Sequence, residues 1–208
     1  MELKKFFDKI YCINLEKRLD RWDKVSVEFE KYGLTNQVEK FKAVDGKNLS
    51  NNTKLLDGEL GILETHINLI EKCKNDNLKN VLIMEDDVYF TEEFNNLDLF
   101  MSFVPKDWDL LFLGGNHIYG NPPIKINEKV IKTNHTVALH CVAIKDTMFD
   151  VILEILKKKN KQVDAYYADL QKGYNSYSFY PNLAKQSIDF SDIQNKIVDY
   201  SSFFKDIN

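Results

Sequence analysis

Three consecutive carboxylates, Glu85-Asp86-Asp87, break an apolar stretch that runs from Val81 to Met84 and resumes at Val88. Adjacent like charges repel, so such a cluster calls for a compensating cation. Hard divalent ions favour oxygen ligands, and one or two carboxylates with substrate phosphates are a usual set for magnesium or manganese. In an extended segment alternate residues point the same way. Glu85 and Asp87 could then face one ion, leaving Asp86 to a ribose hydroxyl or a basic side chain. A solvated acidic turn accounts for the same three residues without any ion.

Five further positions carry chemistry. Arg18 and Arg21 follow an apolar run, Ile10 to Leu15, and precede a helical pattern, so a phosphate could meet two guanidinium groups and a helix N-terminus there. Exposed arginines on a first helical turn are the simpler alternative. His66 lies at the edge of an apolar helical face and reads either as a site residue or as a core histidine with a partner. His140 sits inside a β-rich run, as a ligand or as a hydrogen-bonded strand residue. Asp164 precedes a short helix, where an N-cap is its plainest role.

The elements that must position these groups alternate between strand and helix. Ile10 to Leu15 is the first strand. Trp22, Val25, Phe29 and Tyr32 then form one face of a helix that stops at Gly33. Val38 to Val44 alternates as a half-buried strand closed by Asp45-Gly46, residues 47–58 read as a surface loop, and Gly61 to Cys73 is helical. Val81 to Met84, with no polar residue to turn toward water, is a fully buried strand. The acidic trio therefore falls at a strand's C-terminal edge, where open α/β sheets bind ligands.

Phe94 to Phe103 suggests a short helix. Asp109 to Leu113 is a strand ended by Gly114-Gly115, a pair that implies close backbone approach or a sharp turn. Residues 116–129 read as a long loop, and Thr136 to Ile144 as a strand. A helix capped by Asp146 follows, then Ser176 to Tyr180 as a last short strand, and a polar tail beyond Ser187 containing Tyr200, Phe203 and Phe204. The pattern predicts one α/β domain with a mostly parallel central sheet flanked by helices, its core spanning about residues 8–193 and a tail at 194–208.

Composition narrows the function classes. The 208 residues are 44% hydrophobic and 29% charged, with 14 Phe and 10 Tyr to fill a core, and the net charge of −4 gives no basic field for nucleic acid. No apolar stretch reaches the roughly 18 residues of a membrane span. No secretory leader is visible in the first residues, and the three cysteines, odd in number and in apolar surroundings, read as reduced thiols. Both point to a cytoplasmic protein.

Several pieces, in order, resemble glycosyltransferase family 25. They are Ile13-Asn14-Leu15 with Arg18 and Arg21, Phe41 to Gly46, Gly58-Glu59-Leu60-Gly61 through Thr65-His66, and Leu82 to Asp87. Trp108-Asp109-Leu110 with Leu113-Gly114, Val163-Asp164, Pro181-Asn182-Leu183 and Ser191-Asp192-Ile193 continue the likeness. The resemblance implies a GT-A fold, a UDP-sugar donor carrying galactose or glucose, a divalent cation (Mn2+ or Mg2+), and inversion at the anomeric carbon. It implies Glu85 and Asp87 as metal ligands. Asn14, Leu15, Arg18, Arg21, Asp45, Glu59, Gly61, His66 and Asp86 would serve the nucleotide site. The general base that takes the acceptor's proton would be Asp164, with Asp192 as the alternative. The acceptor would be a glycan, glycolipid or glycoprotein. His140-Cys141 departs from the family's small residue followed by Tyr. A silent family member acting as a scaffold, or a phosphohydrolase using the acidic trio, are the competing expectations.

Overall fold

A computed structural model describes residues 2–117, 122–191 and 196–199. Its centre is an eight-stranded sheet in the order β2-β1-β3-β8-β5-β9-β7-β6. The strands are β1 (Lys9–Asn14), β2 (Glu39–Lys42), β3 (Asn80–Glu85), β5 (Leu110–Phe112), β6 (Ile124–Lys125), β7 (Val130–Lys132), β8 (Cys141–Lys145) and β9 (Ser176–Phe179). β2, β1 and β3 are parallel, and β5 and β9 are parallel. β8 runs against both β3 and β5, joining the two parallel groups, and β7 runs against β9 and β6.

Helices cover both faces of this sheet, which is why its central strands read as unbroken apolar runs. Tyr11, Ile13, Val81 and Ile83 point to one side, against α2 (Asp57–Asn75), α4 (Phe149–Leu156) and α5 (Val163–Leu170). Ile10, Cys12, Leu82 and Met84 alternate to the other side, against α1 (Leu19–Lys31) and α3 (Leu97–Ser102). Period-two alternation along β1 and β3 thus divides one sheet between two cores. Among the described residues, no helix is long and apolar enough to cross a membrane.

Several boundaries differ from the sequence reading. α2 starts at Asp57, inside the stretch read as loop, because Glu59 accepts the Leu56 N–H at 2.9 Å and so satisfies one of the helix's free donors. Thr136 to His140 is not strand: His135 and Ala138 have positive φ (73° and 75°), and regular pairing begins only at Cys141. Asp146 does not cap α4. It lies in a 3₁₀ turn, and its carboxylate meets Lys79 at 3.1 Å. The loop read at 116–129 contains β6. The tail beyond Ser187 contains the hairpin of β11 (Asp189–Ser191) and β12 (Lys196–Val198), while β4 (Val88–Phe90) pairs with β10 (Ala184–Gln186). Asp192, Tyr200, Phe203 and Phe204 lie outside the described residues.

Candidate active site

A cavity of about 460 Å³ opens at the C-terminal ends of β1 and β3, the edge at which parallel strands present ligand-binding loops. β1 supplies Asn14 and the residues just after it, Leu15 and Arg18. The first turn of α1 supplies Arg21, the loop after β2 supplies Asp45, and the start of α2 supplies Glu59. Glu85, Asp86 and Asp87 come from the end of β3, and Asp164 from the start of α5. The fold thus gathers ten of the twelve sequence-designated positions, from Asn14 to Asp164, around one space. Gly61 and His66 do not line it.

The acidic trio is not an extended segment. β3 ends at Glu85, and Asp86 and Asp87 form the turn into β4. Alternation therefore does not set their directions. Instead, the two neighbouring aspartates meet one cation: Arg21 Nη2 lies 2.8 Å from both Asp86 Oδ1 and Asp87 Oδ2. Asn14, 1% exposed, donates from Nδ2 to Asp86 Oδ2 at 2.6 Å and to the Arg18 carbonyl at 3.1 Å. Asp86 thus has both oxygens engaged. Asp87 Oδ1 is buried and has no hydrogen-bond partner, and so is Asn14 Oδ1.

Burial raises three carboxylates here, Asp86, Glu85 and Asp164. It raises Asp86 to about 6, against the opposing pull of Arg21 and the Asn14 hydrogen bond. Glu85 is held well above the usual carboxylate range, first by burial and then by the charges of Asp87 and Asp164. Asp164 is also raised, by burial foremost, although its Oδ2 accepts the Ala138 N–H at 3.1 Å. It is the second residue of α5 and does not cap that helix; it holds instead the strained Ala138 beside the cavity. Glu85, Asp87 and Asp164 line one cavity, and the buried Asp87 oxygen that Arg21 leaves unpartnered suits a divalent ion. Among the described residues no three His, Cys, Asp or Glu side chains enclose a metal by themselves. Such an ion would need oxygens from its ligand as well, the usual arrangement for magnesium with phosphates.

Other designated residues have local partners. Arg18 forks onto Asp20 through Nε (2.9 Å) and Nη2 (2.8 Å). Asp45 caps the 3₁₀ turn Gly46–Asn48 and pairs with Lys17, which holds its carboxyl below the ordinary range. Glu59, besides accepting from Leu56, accepts from Gln162 Nε2, tying the starts of α2 and α5 together. Gly61 packs where a Cβ would stand 2.7 Å from the Val44 carbonyl and 2.8 Å from Gly46 N. Its place is beneath the Asp45 loop, which it allows to lie flat on α2.

His66 is fully buried on α2, with Nδ1 3.2 Å from the Tyr167 hydroxyl, and burial lowers it to about 4. His140 is likewise buried; its Nε2 donates to the Ala184 carbonyl at 3.1 Å, the partnered reading of that residue. Lining residues that the sequence reading passed over include Lys17, Gln162, Asn116, Ala138 and Asp189. Lys17 adjoins Arg18, Asn116 follows Gly114-Gly115 and Gln162 lies two residues before Asp164, so proximity in sequence was the available signal. The glycines mark close approach: a Cβ on Gly114 would fall 1.9 Å from the Ala184 carbonyl.

The family model described as Glycosyltransferase family 25 (LPS biosynthesis protein) matches residues 7–201. The chain belongs to glycosyltransferase family 25. A Glycosyltransferase 25 family member of Anopheles gambiae is 33% identical over 128 residues, covering 50% of this chain and 21% of that protein. Procollagen galactosyltransferase 2 of Mus musculus is 28% identical over 148 residues, covering 60% of this chain and 23% of its own length. The chain therefore spans about a fifth of the curated relatives it matches. Among solved structures, a glycosyltransferase involved in the glycosylation of the major capsid of PBCV-1 aligns with a TM-score of 0.45 and 12% identity over 74% of this chain and 66% of that one.

Proposed function

We propose that this family 25 chain is an inverting glycosyltransferase of the GT-A type. It would move a hexose from a nucleotide-diphosphate sugar, with UDP-galactose or UDP-glucose the donors to test first, to a hydroxyl of a glycan, glycolipid or protein. The observation that carries this reading is the meeting of Glu85, Asp86, Asp87 and Asp164 with the loops after β1 and β2 around one cavity. A mouse relative's name, procollagen galactosyltransferase, supports galactose as the first sugar.

In this reading Asn14, Leu15, Arg18 and Asp45 border the nucleotide, and Asn14 fixes Asp86 by its 2.6 Å hydrogen bond. Glu85 and Asp87 would hold a divalent cation, which supplies Lewis-acid stabilisation of the diphosphate leaving group when bound. Asp164 takes the proton of the attacking hydroxyl. Burial strengthens it as a base and outweighs the weakening hydrogen bond from Ala138. Ala138 N–H also aims the carboxylate, leaving its second oxygen for the acceptor.

The test pairs calorimetry with product analysis. UDP with manganese should bind the parent and fail to bind Asp87→Ala, and incubation with UDP-sugars should release UDP. Asp164→Asn should keep donor binding and lose transfer. Parent-like turnover in Asp164→Asn rejects the assigned base. Absence of metal-dependent UDP binding by the parent rejects the donor reading, and cleavage of phosphate monoesters in its place supports a hydrolase.

A further inference from the structure

Arg21 stood in the sequence reading as a phosphate ligand, yet its guanidinium is already engaged. One amine, Nη2, is shared at 2.8 Å between Asp86 Oδ1 and Asp87 Oδ2. The side chain is 12% exposed, so this ion pair sits largely out of water, where charge–charge interactions are screened little. The residue lies in the first turn of α1, at the helix end that disfavours a cation. The aspartates hold it there against that field. The consequence for Asp87 is specific: Oδ2 is occupied, and only the buried Oδ1 is left without a partner. Asp86 has no oxygen to spare, since Asn14 takes Oδ2.

We propose that Arg21 makes divalent-cation binding at Glu85 and Asp87 conditional on a diphosphate-bearing ligand. The proposal rests on the donor-site reading above and adds to it a role for Arg21 that is not phosphate binding. With Arg21 in place the turn is already part-neutralised and offers one free aspartate oxygen beside the Glu85 carboxyl, too few ligands to strip water from a bare ion. Diphosphate oxygens complete the set, so ion and nucleotide bind together. Arg21 is therefore a positioning and selectivity residue: it keeps an ion without nucleotide from occupying the site, and it fixes which oxygen of Asp87 faces the cavity. Removing the guanidinium frees Asp87 Oδ2 and adds one uncompensated negative charge. Binding of the ion alone should then tighten, and its dependence on nucleotide should weaken.

The test follows free Mn2+ by electron paramagnetic resonance during titration of the parent and Arg21→Met, each with and without UDP. The parent should bind Mn2+ alone weakly and together with UDP well. R21M should bind Mn2+ alone about tenfold more tightly or better, with the gain from UDP reduced by a similar factor. If R21M does not fold, R21M/D86N removes one carboxylate with the guanidinium and keeps the formal charge balance; it should bind Mn2+ alone more tightly than D86N does. Unchanged or weaker Mn2+ binding in the folded variant overturns the proposal. Failure of the parent to bind Mn2+ and UDP together overturns the donor reading instead, so the two failures are distinguishable.

Discussion

Replacing Gly61 with alanine tests whether the Asp45 loop must lie flat on α2. The new Cβ would stand 2.7 Å from the Val44 carbonyl oxygen, 2.8 Å from Gly46 N and 3.2 Å from Gly46 Cα. All three are backbone atoms, so no side chain can swing away and the loop itself must lift. Overpacking of this kind costs about 1–3 kcal/mol. Displacing the loop also stretches the 2.9 Å bond from Val44 N–H to Thr65 Oγ1, worth about 1 kcal/mol. Alanine's better helix propensity returns about 1 kcal/mol. The net loss is about 1–3 kcal/mol, a fall in Tm of roughly 3–9 °C for a chain of this size. Thermal melts measure the stability, and calorimetry with UDP and manganese measures the site. Because the lifted loop carries Asp45 to the cavity, UDP affinity should fall by about tenfold, or about 1.4 kcal/mol. A Gly61→Ala protein with parent-like Tm and parent-like UDP affinity would refute the claim that this contact shapes the donor loop.

Burial lowers His66 from its ordinary 6.5 to about 4, so the unfolded chain binds a proton there before the folded one does. Its contribution is therefore complete above pH 6.5 and is lost as pH falls toward 4, by up to about 3 kcal/mol. Urea denaturation at pH 7.5 and 4.5 should show a flatter profile for His66→Gln than for the parent; equal slopes contradict this. Asp86, raised to about 6, works in the opposite sense: its contribution is greatest below the ordinary carboxylate range and is lost as pH rises through 6, so Asp86→Asn should steepen the acid loss. Asn14→Ala removes a hydrogen bond to a buried carboxylate and should cost about 2 kcal/mol by chemical denaturation. It should also raise Asp86 further, visible in a carboxyl NMR titration. Lys24→Ala breaks a 2.8 Å pair with Asp189 whose lysine is 64% exposed, and its folding stability should stay within about 1 kcal/mol of the parent.

The parts of the fold most legible from residues alone were those buried on both sides. β1 and β3 carry no polar residue that could face water between Ile10 and Ile13 or between Val81 and Met84, and so they announce themselves. β6 is two exposed residues, and β11 and β12 are three residues each; periodicity has nothing to act on in segments so short. The start of the Thr136–Ile144 run looked like strand because residues such as Thr136 and Val137 favour strand, while Ala138 takes a positive φ where its N–H meets Asp164 across the fold. In the site, residue types and the order of motifs indicated which positions meet. Partner choice was not legible. That Arg21 would take Asp86 and Asp87 depends on β1 lying beside β3, and that His66 would turn to Tyr167 depends on α5 packing against α2.

The antiparallel placement of β8 has a consequence for the chain as it is synthesised. β1, β2 and β3 are complete by residue 85, yet the far edge of β3 pairs only with residues 141–145. Until that later segment arrives, Val81 to Met84 presents an apolar strand with a row of unpaired amides and carbonyls, an invitation to a neighbouring chain. The segment that closes this edge follows directly on Ala138 and its tie to Asp164. A nascent chain stopped before β8 would therefore be prone to aggregate, and the Ala138–Asp164 tie forms only later, once α5 has been made.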